Sequence, residues 1–101
     1  MKEVLTSKSE DTIEVRGFGD LRELFHQRDW PLPIYFKLDG EESDIELAKD
    51  LDLPLEKIES VVINGKATPF GKGMIGPGDR VAFVPPGTPG PYRAMLGMIE
   101  E

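Results

Sequence analysis

Few residues of this chain have the types and spacing that catalysis requires. His26 is the one histidine of the chain, and there is no cysteine. A catalytic nucleophile needs a base within hydrogen-bond reach, and the residues around His26, in LFHQRDW, supply no such pair. We therefore expect His26 to be a surface residue and the protein not to be an enzyme.

The motifs that hold ions or phosphates are also missing from the sequence. Asp39, Glu41, Glu42 and Asp44 crowd one segment, but their spacing is not that of a calcium-binding loop. Because carboxylates favour the N-terminus of a helix, we predict a solvated acidic cluster there. The glycine-rich GKGMIGPGD, residues 71–79, lacks the Gly-Lys-Ser/Thr of a phosphate loop. We expect neither a metal site nor a cofactor.

The charge and hydropathy of the chain restrict its partners. The formal net charge is −7, and an acidic chain repels phosphate backbones, so nucleic acid is not an expected partner. A basic protein surface suits this charge better. The N-terminal MKEVLTSKSEDT contains no long apolar run, and no window is apolar enough to cross a membrane. These features predict a cytoplasmic protein without membrane contact.

Alternating apolar and polar residues predict the strands that must position any functional group. The predicted strands are TIEVRGF (12–18), PIYFKLDG (33–40), SVVINGKATPF (60–70) and RVAFVPP (80–86). Within the third segment, Asn64-Gly65 is the dipeptide typical of a two-residue hairpin turn. The third segment is therefore expected to fold back on itself.

The segment ESDIELAKDLDLP carries the clearest helix signal. Ser43 is a good N-cap, and the glutamate three residues later is placed to complete a capping box. Ile45, Ala48 and Leu51 share one helix face, with Leu47 beside Leu51, and we expect this face to be buried. GDLRELFHQRDW, residues 19–30, is predicted to form a short helix or turn.

Two strands, a crossing helix and then further strands is the element order of a β-grasp domain. In this α+β fold, the first and last strands lie side by side and parallel in the centre of the sheet. We assign residues 12–90 to this single domain. Residues 1–11, polar apart from Val4 and Leu5, are predicted to be mostly a flexible arm, and residues 91–101 form a C-terminal extension.

Three segments, taken together, resemble one protein family. RGFGDLREL (16–24), VVINGKAT (61–68) and PGDRVAFVPPGTPG (77–90) are similar, in order and spacing, to motifs of the ThiS/MoaD family of ubiquitin-like sulfur carriers. The resemblance covers about residues 12–90. It implies a protein whose C-terminal glycine is adenylated by an E1-like enzyme and converted to a thiocarboxylate. The sulfur then passes to a synthase subunit in thiamine, molybdopterin, tungstopterin or related metabolism.

The resemblance also assigns roles to residues at the end of the last strand. Val84 matches an exposed apolar residue that precedes two prolines in the family, and the resemblance implies that Val84, Pro85 and Pro86 contact the activating enzyme. A half-buried strand residue is the alternative interpretation of Val84. Gly90 matches the terminal glycine that carries sulfur. Glycines let the backbone enter a narrow active site, and prolines stiffen the exit from the strand.

The sequence departs from the family pattern after this point. Pro89-Gly90 replaces Gly-Gly, and residues 91–101 follow. One hypothesis is that a protease removes this extension after Gly90 or after Gly97, which exposes a reactive carboxylate. The other is a module without carrier chemistry, whose intact extension docks on the domain or on a partner protein. In that case Tyr92 is a candidate contact, since the apolar residues of the extension have helical spacing.

Overall fold

The strands of this protein form one six-stranded mixed sheet and one small two-stranded sheet. The computed structural model describes residues 4, 5 and 7–87. The strands are β1 (Val4–Leu5), β2 (Thr12–Gly17), β3 (Ile34–Lys37), β4 (Glu42–Ser43), β5 (Ser60–Ile63), β6 (Lys66–Pro69), β7 (Met74–Ile75) and β8 (Arg80–Val84). The helices are α1 (Asp20–Gln27) and α2 (Asp44–Asp50), and a 3₁₀ turn spans Leu55–Lys57.

The order of the large sheet is β1-β3-β2-β8-β5-β6, with β2 and β8 parallel at its centre. The predicted β-grasp architecture is therefore confirmed. The predicted hairpin between β5 and β6 is confirmed as well, because Asn64 and Gly65 both have positive φ, 51° and 87°. Two central residues with positive φ form the turn type that matches the twist of a hairpin.

Helix α2 begins where the sequence predicts. The Ser43 side chain accepts a hydrogen bond from the backbone N–H of Glu46 at 3.2 Å, as expected of an N-cap. The buried face is largely the predicted one. Leu47, Ala48 and Leu51 are fully buried, whereas Ile45 is only half-buried.

Both helices cover the same face of the large sheet, which we call the inner face. Leu21 and Phe25 of α1 join the apolar residues of α2 in one cluster with the inward side chains of the strands. Trp30 packs edge-on against Phe25 with ring centroids 5.2 Å apart. This cluster is the hydrophobic core. Neither helix in the described part of the chain has the length and apolar character that crossing a bilayer requires.

Three short strands were not anticipated from the sequence. Val4 and Leu5, within the predicted N-terminal arm, pair with Phe36 and Tyr35 of β3 and form an edge of the sheet. Val4 also packs against the core, which accounts for its place in an otherwise polar segment. Strands β4 and β7 pair with each other in the small sheet. Two-residue strands carry too short an alternation to be read from a sequence.

Candidate functional site

The end of β8 is held firmly on both sides. The backbone N–H of Phe18 donates to the Phe83 carbonyl at 3.1 Å, and that of Glu59 donates to the Val84 carbonyl at 2.8 Å. These bonds continue the pairing of β8 with β2 and β5 to its final residue. The chain that follows β8 therefore starts from a fixed point at the centre of the sheet.

The two prolines after β8 lead the chain out of the sheet. Proline has no N–H to donate, so strand pairing stops there. Pro85 is half-buried against Gly19, where an added Cβ would lie only 2.9 Å from the Pro85 Cγ. Pro86 and Gly87 are exposed, and Gly87 has φ +81°. We call Val84–Gly87 the tail exit.

The face of the large sheet opposite the helices, which we call the outer face, is apolar beside the tail exit. Strand register arranges its side chains in rows that cross β6, β5, β8 and β2. The row at the tail exit contains Pro69, Ser60, Val84 and Phe18, and the next row contains Ala67, Val62, Ala82 and Arg16. We place Phe18 by continuing the alternation of β2. These two rows are the apolar half of the outer face.

The centre of the apolar half is removed from solvent. Val84, Ser60 and Val62 are 0%, 6% and 8% exposed, yet neither valine belongs to the core cluster beneath the helices. The expectation that Val84 is an exposed apolar residue is therefore wrong, and so is the half-buried alternative. The alternation of β8 does place Val84 on the face opposite Val81 and Phe83, as predicted, but that face is not open at this position.

The other half of the outer face is polar. Its next row contains Asn64, Arg80, Glu14 and Tyr35. The Asn64 side-chain carbonyl accepts from the backbone N–H of Arg80 at 2.9 Å, and the Glu14 carboxylate pairs with Arg16 at 3.0 Å. Charged and amide groups thus border the apolar half on the side away from the tail exit.

The acidic cluster around the start of α2 is solvated only in part, because Asp39 and Glu41 are exposed, as predicted, whereas Asp44 is not. Asp44 is fully buried, and its Oδ2 accepts from the backbone N–H groups of Gly71 and Gly73 at 2.9 and 3.1 Å. The Asp44 N–H donates back to the Gly73 carbonyl at 3.0 Å. Among the described residues, no group of three or more His, Asp and Glu side chains is arranged to hold a metal ion. Asp44 therefore clamps the glycine-rich loop to the helix.

A groove beside α1, among the described residues, offers no catalytic set. An open groove of about 280 Å³ lies along α1. Its lining residues are Asp20, Leu21, Glu23, Leu24, Gln27, Pro54 and Lys57. His26 is exposed, as predicted, and does not line this groove. A nucleophile with an adjacent base is not found along the groove.

The structure brings together part of the predicted site. Val84, Pro85 and Pro86 lie side by side at the tail exit, whereas Gly90, Tyr92 and Gly97 lie outside the described residues. Phe18 and Gly19 were not predicted to belong to this site. They could have been found from the predicted β-grasp fold, in which the first and last strands are parallel neighbours. The segment that follows β2 then lies beside the end of β8.

Comparison of the chain with protein-family models, with curated proteins and with solved structures finds no match. The order and direction of the strands alone define the class of fold, which is a β-grasp domain. A fold of this kind supports many functions, so a function has to be argued from the tail exit and the outer face.

Proposed function

We propose that this protein is a sulfur carrier of the ThiS/MoaD type, which presents a glycine carboxylate to partner enzymes after its C-terminal extension is trimmed. The observation that supports the proposal best is the tail exit. The central strand β8 is hydrogen-bonded on both sides up to Val84. The chain then leaves the sheet through Pro85 and the exposed Pro86. A fixed exit and a narrow tail suit delivery of a carboxylate into another protein's active site.

The reach of the tail fits this role. Gly90 lies three residues beyond Gly87, and three extended residues span about 10 Å. That length carries a carboxylate from the tail exit into a partner while the domain itself stays outside. A substrate that is threaded in this way gains from glycine, because no side chain blocks the close approach of the backbone.

In the proposed reaction, a carboxylate oxygen of the terminal glycine attacks the α-phosphorus of ATP, and pyrophosphate leaves. A hydrosulfide ion then attacks the acyl carbon, AMP and a proton leave, and a thiocarboxylate remains. The chain has neither cysteine nor a phosphate loop. An E1-like adenylating enzyme therefore has to supply the ATP site, and the sulfur has to come from outside this chain. This protein would act as a cosubstrate rather than as an enzyme.

The product thiocarboxylate would serve a sulfur-accepting synthase subunit in the cytoplasm. Thiamine, molybdopterin and tungstopterin synthesis are the metabolic classes that the family resemblance suggests. Gly90 is the preferred reactive residue because it matches the motif, and Gly97 is the second candidate. No nucleic acid, membrane or cofactor is part of this proposal.

The intact mass of the untagged protein, purified from its own cells, tests the proposal. A species that ends at Gly90 or Gly97, with the mass gain of oxygen replaced by sulfur, is the expected result. A single species that retains residues 91–101 and does not change when sulfur demand is raised would overturn the proposal. A recombinant chain treated in parallel with a general protease inhibitor present controls for cleavage during purification.

A second candidate function is an interaction module without carrier chemistry. The sequence after Gly90 favours it, because residues 91–101 leave no free carboxylate on Gly90 or Gly97 unless they are removed. Incubating the chain ended at Gly90 with an E1-like adenylating enzyme and radiolabelled pyrophosphate separates the two candidates. ATP–pyrophosphate exchange above that of a matched chain ended at Pro89 supports the carrier. Equal exchange by both chains supports the module.

A further inference from the structure

The carrier chemistry does not explain why side chains on the outer face are buried. In a sheet with helices on one face only, side chains on the other face remain in contact with water. Here Val84 and Ser60, at the tail exit, are 0% and 6% exposed, and Val62 in the next row is 8% exposed. The two described helices pack on the inner face with the core cluster. Because neither helix lies on the outer face, another segment has to account for the burial of these three residues.

We propose that residues 91–99 of this chain are that layer and dock on the apolar half of the outer face. The segment follows the tail exit in the chain, and the tail exit lies at the same end of the sheet as the apolar half. Thr88, Pro89 and Gly90 connect the two. Fully extended, they span about 10 Å, which is the separation of about 10 Å at which a second layer packs on a sheet.

The sequence of the segment supplies a matching apolar surface. Tyr92, Met95, Leu96 and Ile99 stand at i, i+3, i+4 and i+7. This is the spacing of one apolar face of an amphipathic helix. The face is the right kind of partner for Val62, Val84 and the half-buried Phe18, which have no polar groups of their own to satisfy.

The buried centre of the apolar half is narrow enough for one helix to cover. Its apolar residues, Val62 and Val84, lie on the neighbouring strands β5 and β8, which are about 4.8 Å apart. A helix is about 10 Å wide with its side chains, so a single helix of residues 91–99 would cover both valines. Pro69 and Arg16, at the two margins of the apolar half, are exposed and would lie beyond it.

This inference stands on the outer face alone and does not depend on the proposed carrier function. If both hold, the extension would cover Val84 and Gly90 together until it is cut. An intact extension that stays docked in a protein without thiocarboxylate chemistry would support this inference and refute the carrier, so the two fail separately.

Single cysteines test the docking, since the chain has none of its own. Val62→Cys reports on the outer face, and Met74→Cys, at a residue 54% exposed in the small sheet, is the control. Each is placed in the full chain and in a chain ended at Gly90, and the rate of reaction with a thiol reagent is measured. Circular dichroism and a thermal melt establish that each shortened chain is folded.

We expect Val62→Cys to react at least about tenfold more slowly in the full chain than in the shortened chain, which corresponds to about 1.4 kcal/mol of docking free energy. Met74→Cys should react equally fast in both. Equal rates for Val62→Cys in the two chains would overturn the proposal. Protection that rises with protein concentration, together with a dimer mass by light scattering, would also overturn it, because a second copy would then be the cover.

Two methionines of the segment give a matched test without truncation. Met95 belongs to the apolar face of the segment, whereas Met98 does not. In the full chain with Val62→Cys, Met95→Glu should raise the labelling rate toward that of the shortened chain, and Met98→Glu should leave it slow. Equal effects of the two substitutions would show that the apolar face is not what docks, and would overturn the proposal.

Discussion

The two faces of the six-stranded sheet differ in how much of them is apolar and in what that apolar surface does. The inner face is apolar across β3, β2, β8 and β5 and is closed by α1 and α2 in one core cluster. The outer face is apolar only in the rows beside the tail exit and polar beyond them. A continuous apolar face is required to fold the domain. A face that is apolar over half its area, next to the point where the chain leaves the sheet, is better explained by recognition of a neighbouring segment or protein.

Removing a large side chain from the inner face is the strongest test of this contrast. Phe83 is fully buried and meets Phe70 edge-on at 6.3 Å between ring centroids. We expect Phe83→Ala to lower the free energy of unfolding by about 3 to 5 kcal/mol, through lost burial and the cavity that remains. Urea unfolding followed by circular dichroism measures it. Arg16→Ala, on the outer face, is the control, with an expected loss of about 0.5 kcal/mol or less. A loss of similar size in both variants would contradict the contrast.

Removing the Asp44 carboxylate, which holds the glycine-rich loop, should have the next largest effect on stability. Asp44→Ala removes the acceptor for the N–H groups of Gly71 and Gly73, which remain in a buried or partly buried setting. The variant loses two hydrogen bonds to a charged acceptor and leaves both donors unsatisfied. We expect the free energy of unfolding to fall by about 3 kcal/mol. Asp44→Asn keeps one acceptor oxygen and should cost less, and Asp39→Ala, at an exposed carboxylate, should cost almost nothing. If Asp39→Ala destabilises as much as Asp44→Ala, the clamp is not the source of the effect.

Asp44 also illustrates what the sequence can and cannot predict about this protein. Local signals predicted the strand alternation, the Ser43 cap and the Asn64-Gly65 turn, since each depends on a few neighbouring residues. The burial of Asp44 depends on a loop that follows it by almost thirty residues, at Gly71 and Gly73. Nothing local distinguishes Asp44 from the exposed carboxylates before it.

The candidate site also has one part that the sequence predicts and another that it does not. The order of elements predicted that β8 lies at the centre of the sheet, so the tail exit could be placed from the sequence. The burial of Val84 could not be predicted from the sequence. The alternation of a strand indicates which face a side chain lies on, but it does not indicate what covers that face. The close approach of Gly19 to Pro85 depends on the parallel register of β2 and β8, which periodicity alone does not fix.

Adjacent valines give a direct comparison of the two faces. Val61 lies on the inner face and is 0% exposed, and Val62 lies on the outer face and is 8% exposed. Replacing either with alanine in the full chain should cost about 1.6 kcal/mol, at about 0.8 kcal/mol for each buried carbon removed. In a chain ended at Gly90, Val61→Ala should cost the same, whereas the cost of Val62→Ala should fall to about 0.5 kcal/mol or less, as at an exposed site. Urea unfolding of the paired variants in both chains measures the difference. An unchanged cost of Val62→Ala in the shortened chain would mean that the described residues alone bury it.

The smallest expected effect concerns the junction between the two faces, where Gly19 supports the tail exit. Gly19 has φ +56°, and a Cβ there would lie 2.9 Å from the Pro85 Cγ. Gly19→Ala should cost at least about 1 kcal/mol, because φ +56° with ψ −128° is a backbone region that only glycine occupies readily, and it should also displace Pro85. Gly40→Ala is the matched control, because Gly40 has φ +101° and no atom within 4 Å of an added Cβ. Both variants should lose stability, but only Gly19→Ala should shift the backbone amide resonance of Gly87 in a heteronuclear NMR spectrum. If that resonance is unmoved, the contact with Gly19 does not set the direction of the tail, and the hydrogen bonds of Phe83 and Val84 alone must fix it.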